Sequence, residues 1–97
     1  MMKVYLIIDI NIKDREIYRE YTRKAEKIIE EHGGRYIVRC SDPAAFSGNW
    51  TPERIVVIEF PSREDLDRCF ASEEYSRIAP LREGATEGKA VIAYDSE

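Results

Sequence analysis

At 97 residues, with 43% hydrophobic and 35% charged side chains, the chain fits one soluble globular domain spanning residues 1–97 rather than a disordered segment. Its net charge of −4, with 15 Lys and Arg dispersed among 19 acids, leaves no basic stripe for nucleic acid and no polybasic patch for a membrane surface. A chain this short buries only about 60–65% of its unfolded surface, so a partner subunit would help it.

The first apolar run, Val4 to Ile10, is rich in β-branched residues and reads as a strand. It is interrupted by Asp9 and is far too short for a membrane span or an export signal. Asp14 is a good helix N-cap, and Glu16 places an acid in the first turn, where the helix dipole favours it. Ile17, Tyr21, Ala25, Ile28 and Ile29 then recur at helical spacing until Gly33-Gly34 stops the helix. Arg35 to Arg39 is a second, shorter strand. A polar stretch from Ser41 to Glu53, with Pro43, Pro52 and Gly48, is the long connection to a third strand, Arg54 to Phe60. Pro61 ends that strand, and Ser62 with Asp65 forms a capping box for a second helix that turns Leu66, Cys69 and Phe70 inward. Glu74 to Ala79 adds a further turn or two, and Lys89 to Tyr94 closes the chain as a fourth strand.

The order β-α-β-β-α-β, with right-handed crossovers, predicts an α+β ferredoxin-like fold. In it an antiparallel four-stranded sheet carries two helices on one face. The first and third strands, the most continuously apolar, belong in the centre, and Arg35 and Lys89 mark the other two as edges. Alternation splits each strand into two faces. Val4, Leu6, Ile8, Tyr36, Val38, Val56, Ile58, Phe60, Val91 and Ala93 form an apolar set expected under the helices. Tyr5, Ile7, Asp9, Arg35, Ile37, Arg39, Ile55, Val57, Glu59, Ala90, Ile92 and Tyr94 form a mixed set on the helix-free face. Left bare, that face would expose an apolar patch too large for a monomer, which predicts a homodimer joined sheet to sheet.

Glu59 and Arg39 thus fall on one predicted face. Two readings stand side by side. They are ion-pairing residues within the dimer interface, or an acid–base and anion-binding pair in a small polar pocket on that face. Trp50 either caps the mouth of such a pocket or covers the sheet edge. His32, the only histidine, is a weak catalytic candidate at a helix C-terminus, where its cationic form suits the dipole. One His and the separated Cys40 and Cys69 offer no metal-ligand cluster and no disulfide framework, so no metal and a reducing, cytoplasmic location are expected. Cys69 reads as a core residue, and no nucleophile–base motif or phosphate loop is visible.

The segments Gly33-Gly-Arg-Tyr-Ile-Val-Arg39, Gly48-Asn-Trp-Thr-Pro-Glu-Arg-Ile-Val-Val-Ile-Glu-Phe-Pro-Ser62 and Ser72-Glu-Glu-Tyr75, followed by Leu81-Arg82, resemble the bacterial domain-of-unknown-function family thirteen-thirty. This is a branch of the dimeric α/β-barrel superfamily, and the resemblance covers essentially the whole chain. It implies a subunit that dimerises through its sheet, forming a dimeric α/β barrel. It also implies that Tyr75 and Arg82 close one end of a pocket, with an ordinary surface tyrosine as the alternative for Tyr75. The chain departs from the family at Cys40-Ser41, where glycines are usual, and at Cys69, where tryptophan is common. The resemblance implies no reaction, and no cofactor is expected. Arg39, Trp50, Glu59, Tyr75 and Arg82 are therefore the ligand-binding candidates for a small anionic or carbonyl-bearing molecule. The alternative is a cofactor-free enzyme, monooxygenase- or isomerase-like, working in the same pocket.

Overall fold

A computed structural model describes residues 2–95. The chain runs β1 (Val4–Ile12), α1 (Arg15–Glu31), β2 (Arg35–Cys40), β3 (Arg54–Phe60), α2 (Arg63–Phe70), α3 (Glu73–Ala85) and β4 (Thr86–Tyr94). The caps read from sequence are in place. Asp14 Oδ1 accepts from the Ile17 amide at 3.1 Å, and Ser62 Oγ accepts from the Asp65 amide at 3.1 Å. Where a further turn or two was expected after the second helix, a third helix of 13 residues has its own cap, Ser72, whose Oγ accepts from the Tyr75 amide at 3.1 Å. It runs on through Pro80, which gives up one helical hydrogen bond.

The strands form one antiparallel sheet in the order β2-β3-β1-β4, with β1 and β3 central as their apolar composition requires. This is the ferredoxin-like α+β arrangement. Two strands sit in a different phase from the one expected. In the β1–β4 ladder Leu6 faces Ile92 and Val4 faces Tyr94, so Ile92, Ala90 and Tyr94 lie on the helix side. Val91 and Ala93 lie on the helix-free side, opposite Ile7 and Tyr5. Both phases of β4 are about equally apolar, and the pairing with β1 selects between them. In β2 a bulge sits between Tyr36 and Val38, with Ile37 the extra residue. Val38 therefore pairs with Val57 and Arg39 with Val56, which moves Val38 to the helix-free face and Arg39 to the helix side.

The core lies between sheet and helices. Val4, Val56, Ile58 and Phe60 from the sheet meet Ala25, Ile28 and Ile29 of α1, Leu66 and Cys69 of α2, and Tyr75 and Ile78 of α3. Cys69 is fully buried there, as expected, and burial pushes its thiol up to about 11. Two glycines fix the α1–β2 turn for different reasons. Gly33 holds the left-handed conformation, at φ +85°, that ends the helix. A Cβ on Gly34 would stand 2.5 Å from Ile29 Cγ2 and 2.8 Å from Phe60 Cε1, so only glycine lets β2 start against the core.

Candidate ligand-binding cleft

Toward one end of the sandwich the helices part from the sheet and leave a cleft of about 790 Å³. Its floor is Ile8, Ile10 and Ile12 of β1, Val56 and Ile58 of β3 and Ala90 of β4. Helix α1 contributes Tyr18, Tyr21, Thr22 and Glu26, and α3 contributes Arg82 and Glu83. Tyr36, Arg39, Ser41 and Arg54 come from the β2–β3 side. This cleft lies on the opposite side of the sheet from the helix-free face on which a pocket was expected.

Polar groups line this apolar floor as hydrogen-bonded sets. Tyr21 and Tyr75 join hydroxyl to hydroxyl at 2.8 Å, and Arg82 Nε donates to the Tyr75 hydroxyl at 3.2 Å. Arg54 Nε donates to the Tyr18 hydroxyl at 3.2 Å, and its Nη1 donates to Ser41 Oγ at 2.6 Å. Arg39 lies over the Tyr36 ring, 4.3 Å from its centroid, and reaches Glu26 across to α1 at 3.2 Å. Burial holds the Tyr21 hydroxyl well above the usual phenol range, with the neighbouring Tyr75 adding to it. Burial likewise raises Tyr36, against the lowering effect of Arg39. At Arg82 burial opposes the charge, but the Tyr75 oxygen, its hydrogen bond, Tyr21 and Glu83 outweigh it and raise the guanidinium. Behind the polar wall, Phe60, Phe70, Tyr75 and Tyr21 pack edge to face in sequence.

The candidates from sequence divide between the two faces. Arg39 and Arg82 line the cleft, and Tyr75 stands directly behind Arg82 and Tyr21. Glu59 does not meet Arg39. It stays on the helix-free face and pairs with Arg35 at 3.1 Å, because the bulge turns Arg39 away from it. Trp50 also lies on that side, its Nε1 donating to Asp9 Oδ2 at 2.8 Å. His32 caps α1, its Nδ1 donating to the Ile28 carbonyl at 2.9 Å, and is not part of the cleft wall. Sequence reading missed Tyr18, Tyr36 and Arg54 as site residues and placed Tyr21 in the core alone. A signal was present. Phenols repeated on core-facing positions need polar partners when buried, which marks the place where a core turns polar.

Residues 3–95 match the sequence family described as Domain of unknown function (DUF1330). No curated protein matches the chain in sequence. Among solved structures, a protein of unknown function from Rhodopseudomonas palustris superposes with a TM-score of 0.86 at 13% identity, covering 99% of this chain and 84% of that one. The cofactor-independent oxygenase SnoaB from Streptomyces nogalater gives 0.71 at 7% identity, covering 100% and 96%. A dimeric protein of unknown function with a ferredoxin-like fold from Bacteroides fragilis gives 0.63 at 11% identity, covering 96% of each chain. At these identities the likeness is one of fold.

Proposed function

The chain belongs to the DUF1330 family of unknown function, and from that starting point we propose that it is a small-molecule-binding domain whose helix-side cleft takes an anionic or carbonyl-bearing ring compound. One observation carries this reading. In a chain of net charge −4, the cleft is lined by five arginines, Arg15, Arg19, Arg39, Arg54 and Arg82, against two acids, Glu26 and Glu83, while the neighbouring Lys89 and Glu87 of β4 are paired with Asp9 and Asn11 on the other face. The hydrogen bonds holding Arg54 and Arg82 go to neutral hydroxyls, which leaves those charges for a ligand. The isoleucine floor and tyrosine walls suit a flat apolar body.

Calorimetry with naphthoate and its uncharged amide tests the reading. The acid binds at least about tenfold more tightly than the amide, as expected for a charge-assisted contact, and Arg54→Gln removes most of the difference. Equal affinity of acid and amide, or no binding of either, overturns it.

The domain works as a homodimer joined through the helix-free face, where Val91 is 62%, Ile37 42% and Val38 40% exposed in the single chain. A cytoplasmic setting accords with the free thiols of Cys40 and Cys69. The second reading is cofactor-free chemistry, monooxygenase- or isomerase-like, in the same cleft. Its support is the Tyr21–Tyr75–Arg82 chain, a set of linked hydroxyls able to hold charge on a reacting oxygen.

A further inference from the structure

The polarity of the tyrosine pair is fixed by what surrounds it. Arg82 has no acceptor to offer, so the Tyr75 oxygen accepts from its Nε. Tyr75 is buried, and among the described residues its hydroxyl has two partners, Arg82 and Tyr21. If Tyr21 donated to Tyr75, the Tyr75 hydrogen would be buried without an acceptor, which native interiors avoid. The Tyr75 hydrogen therefore goes to the Tyr21 oxygen, and the Tyr21 hydrogen is left over. Tyr21 lines the cleft, whereas Tyr75 does not. The chain Arg82 to Tyr75 to Tyr21 thus runs in one direction, from a fixed positive charge toward the cleft. Each donor in it strengthens the next.

We propose that Tyr21 is the cleft's oxyanion donor and that its ligand is a phenol or enolisable ketone, bound through its oxygen as the phenolate or enolate. This rests on the cleft being the binding site, and it narrows that reading from anions in general to one oxygen class. Burial supports the assignment, since it keeps the Tyr21 hydroxyl protonated and a donor across the neutral range. Tyr75 and Arg82 are positioning residues for that hydroxyl. A phenol that binds in this way gives up its proton to bulk water, so its acidity is higher in the complex than in solution.

The test uses para-nitrophenol, whose phenolate absorbs in the visible while its neutral form does not, with naphthoate as the control. Bound to the whole protein, para-nitrophenol develops the phenolate band at a pH below the one at which it ionises free. Tyr21→Phe weakens its binding about tenfold or more and returns its ionisation to the free value. Naphthoate, held by its carboxylate at the arginines, changes by no more than about twofold. Arg82→Gln, a change at a residue exposed on α3, raises the pH at which bound para-nitrophenol ionises without unfolding the chain, and so reads the relay even where Tyr21→Phe folds poorly. Naphthoate binding with para-nitrophenol ionisation unmoved by the protein overturns the oxyanion assignment and leaves the anion cleft standing. Failure of both ligands to bind overturns the two together.

Discussion

Glu59 is the residue whose meaning changed most on folding. Its side chain is 15% exposed, but its partner Arg35 is 69% exposed, so the pair is screened from one side by water. Glu59→Gln should then cost about 0–1 kcal/mol in urea unfolding, as for exposed pairs, and not the 3–5 kcal/mol or so of a broken buried pair. A loss in the larger range would mean that the helix-free face is closed over Glu59 in solution. Cys69 offers a second residue-scale outcome. Its thiol is raised from 9.0 to about 11 by burial, with Glu74 adding to it. Because the folded value lies above the unfolded one, the unfolded chain loses the proton first as pH rises. The stability contribution is therefore full below pH 9 and fades between about 9 and 11. Cys69→Ala should flatten the fall in stability across this window, leaving the slope due to the raised phenols of Tyr21 and Tyr36. An unchanged slope in that variant would show that Cys69 ionises alike in both states.

At the scale of elements, the β2 bulge decides which charge enters the cleft. With Ile37 as the extra residue, Tyr36 faces Ile58, Val38 faces Val57 and Arg39 faces Val56. Removing Ile37 leaves those partners paired in a regular ladder, so the deletion should keep Arg39 on the helix side and retain naphthoate binding within about threefold. Moving the deletion to Val38 brings Ile37 opposite Val57 and should do the same, whereas inserting one residue after Val38 should turn Arg39 to the far face and weaken binding. Calorimetry on the three variants separates register from sequence. Helix α3 shows the same dependence of site on element. The Ser72 cap bonds the Tyr75 amide, so the turn that starts the helix also places the phenol behind Tyr21.

For the whole molecule, the sheet's bare face and the cleft lie on opposite sides, so dimerisation and ligand binding should separate experimentally. Val57→Lys puts a charge in the middle of the proposed interface, and light scattering at tens of micromolar should show a monomer where the unaltered chain is a dimer. Naphthoate affinity should survive that change within a few-fold, since Val57 points away from the cleft. A dimer indifferent to Val57→Lys would place the interface elsewhere.

The sequence by itself determined the local decisions. Asp14, Ser62 and Gly33-Gly34 set where helices begin and end, because caps and left-handed turns depend on residues within a few positions of one another. The apolar continuity of β1 and β3 was enough to place them in the centre of the sheet. Tertiary structure decided what alternation leaves open. A strand with two comparably apolar phases, such as β4, takes its face from the register of its partner, and one extra residue in β2 reverses every side chain that follows. Those long-range pairings put Arg39 beside Glu26 rather than Glu59, joined Tyr21 to Tyr75 across 54 positions of chain, and opened the cleft beneath the helices.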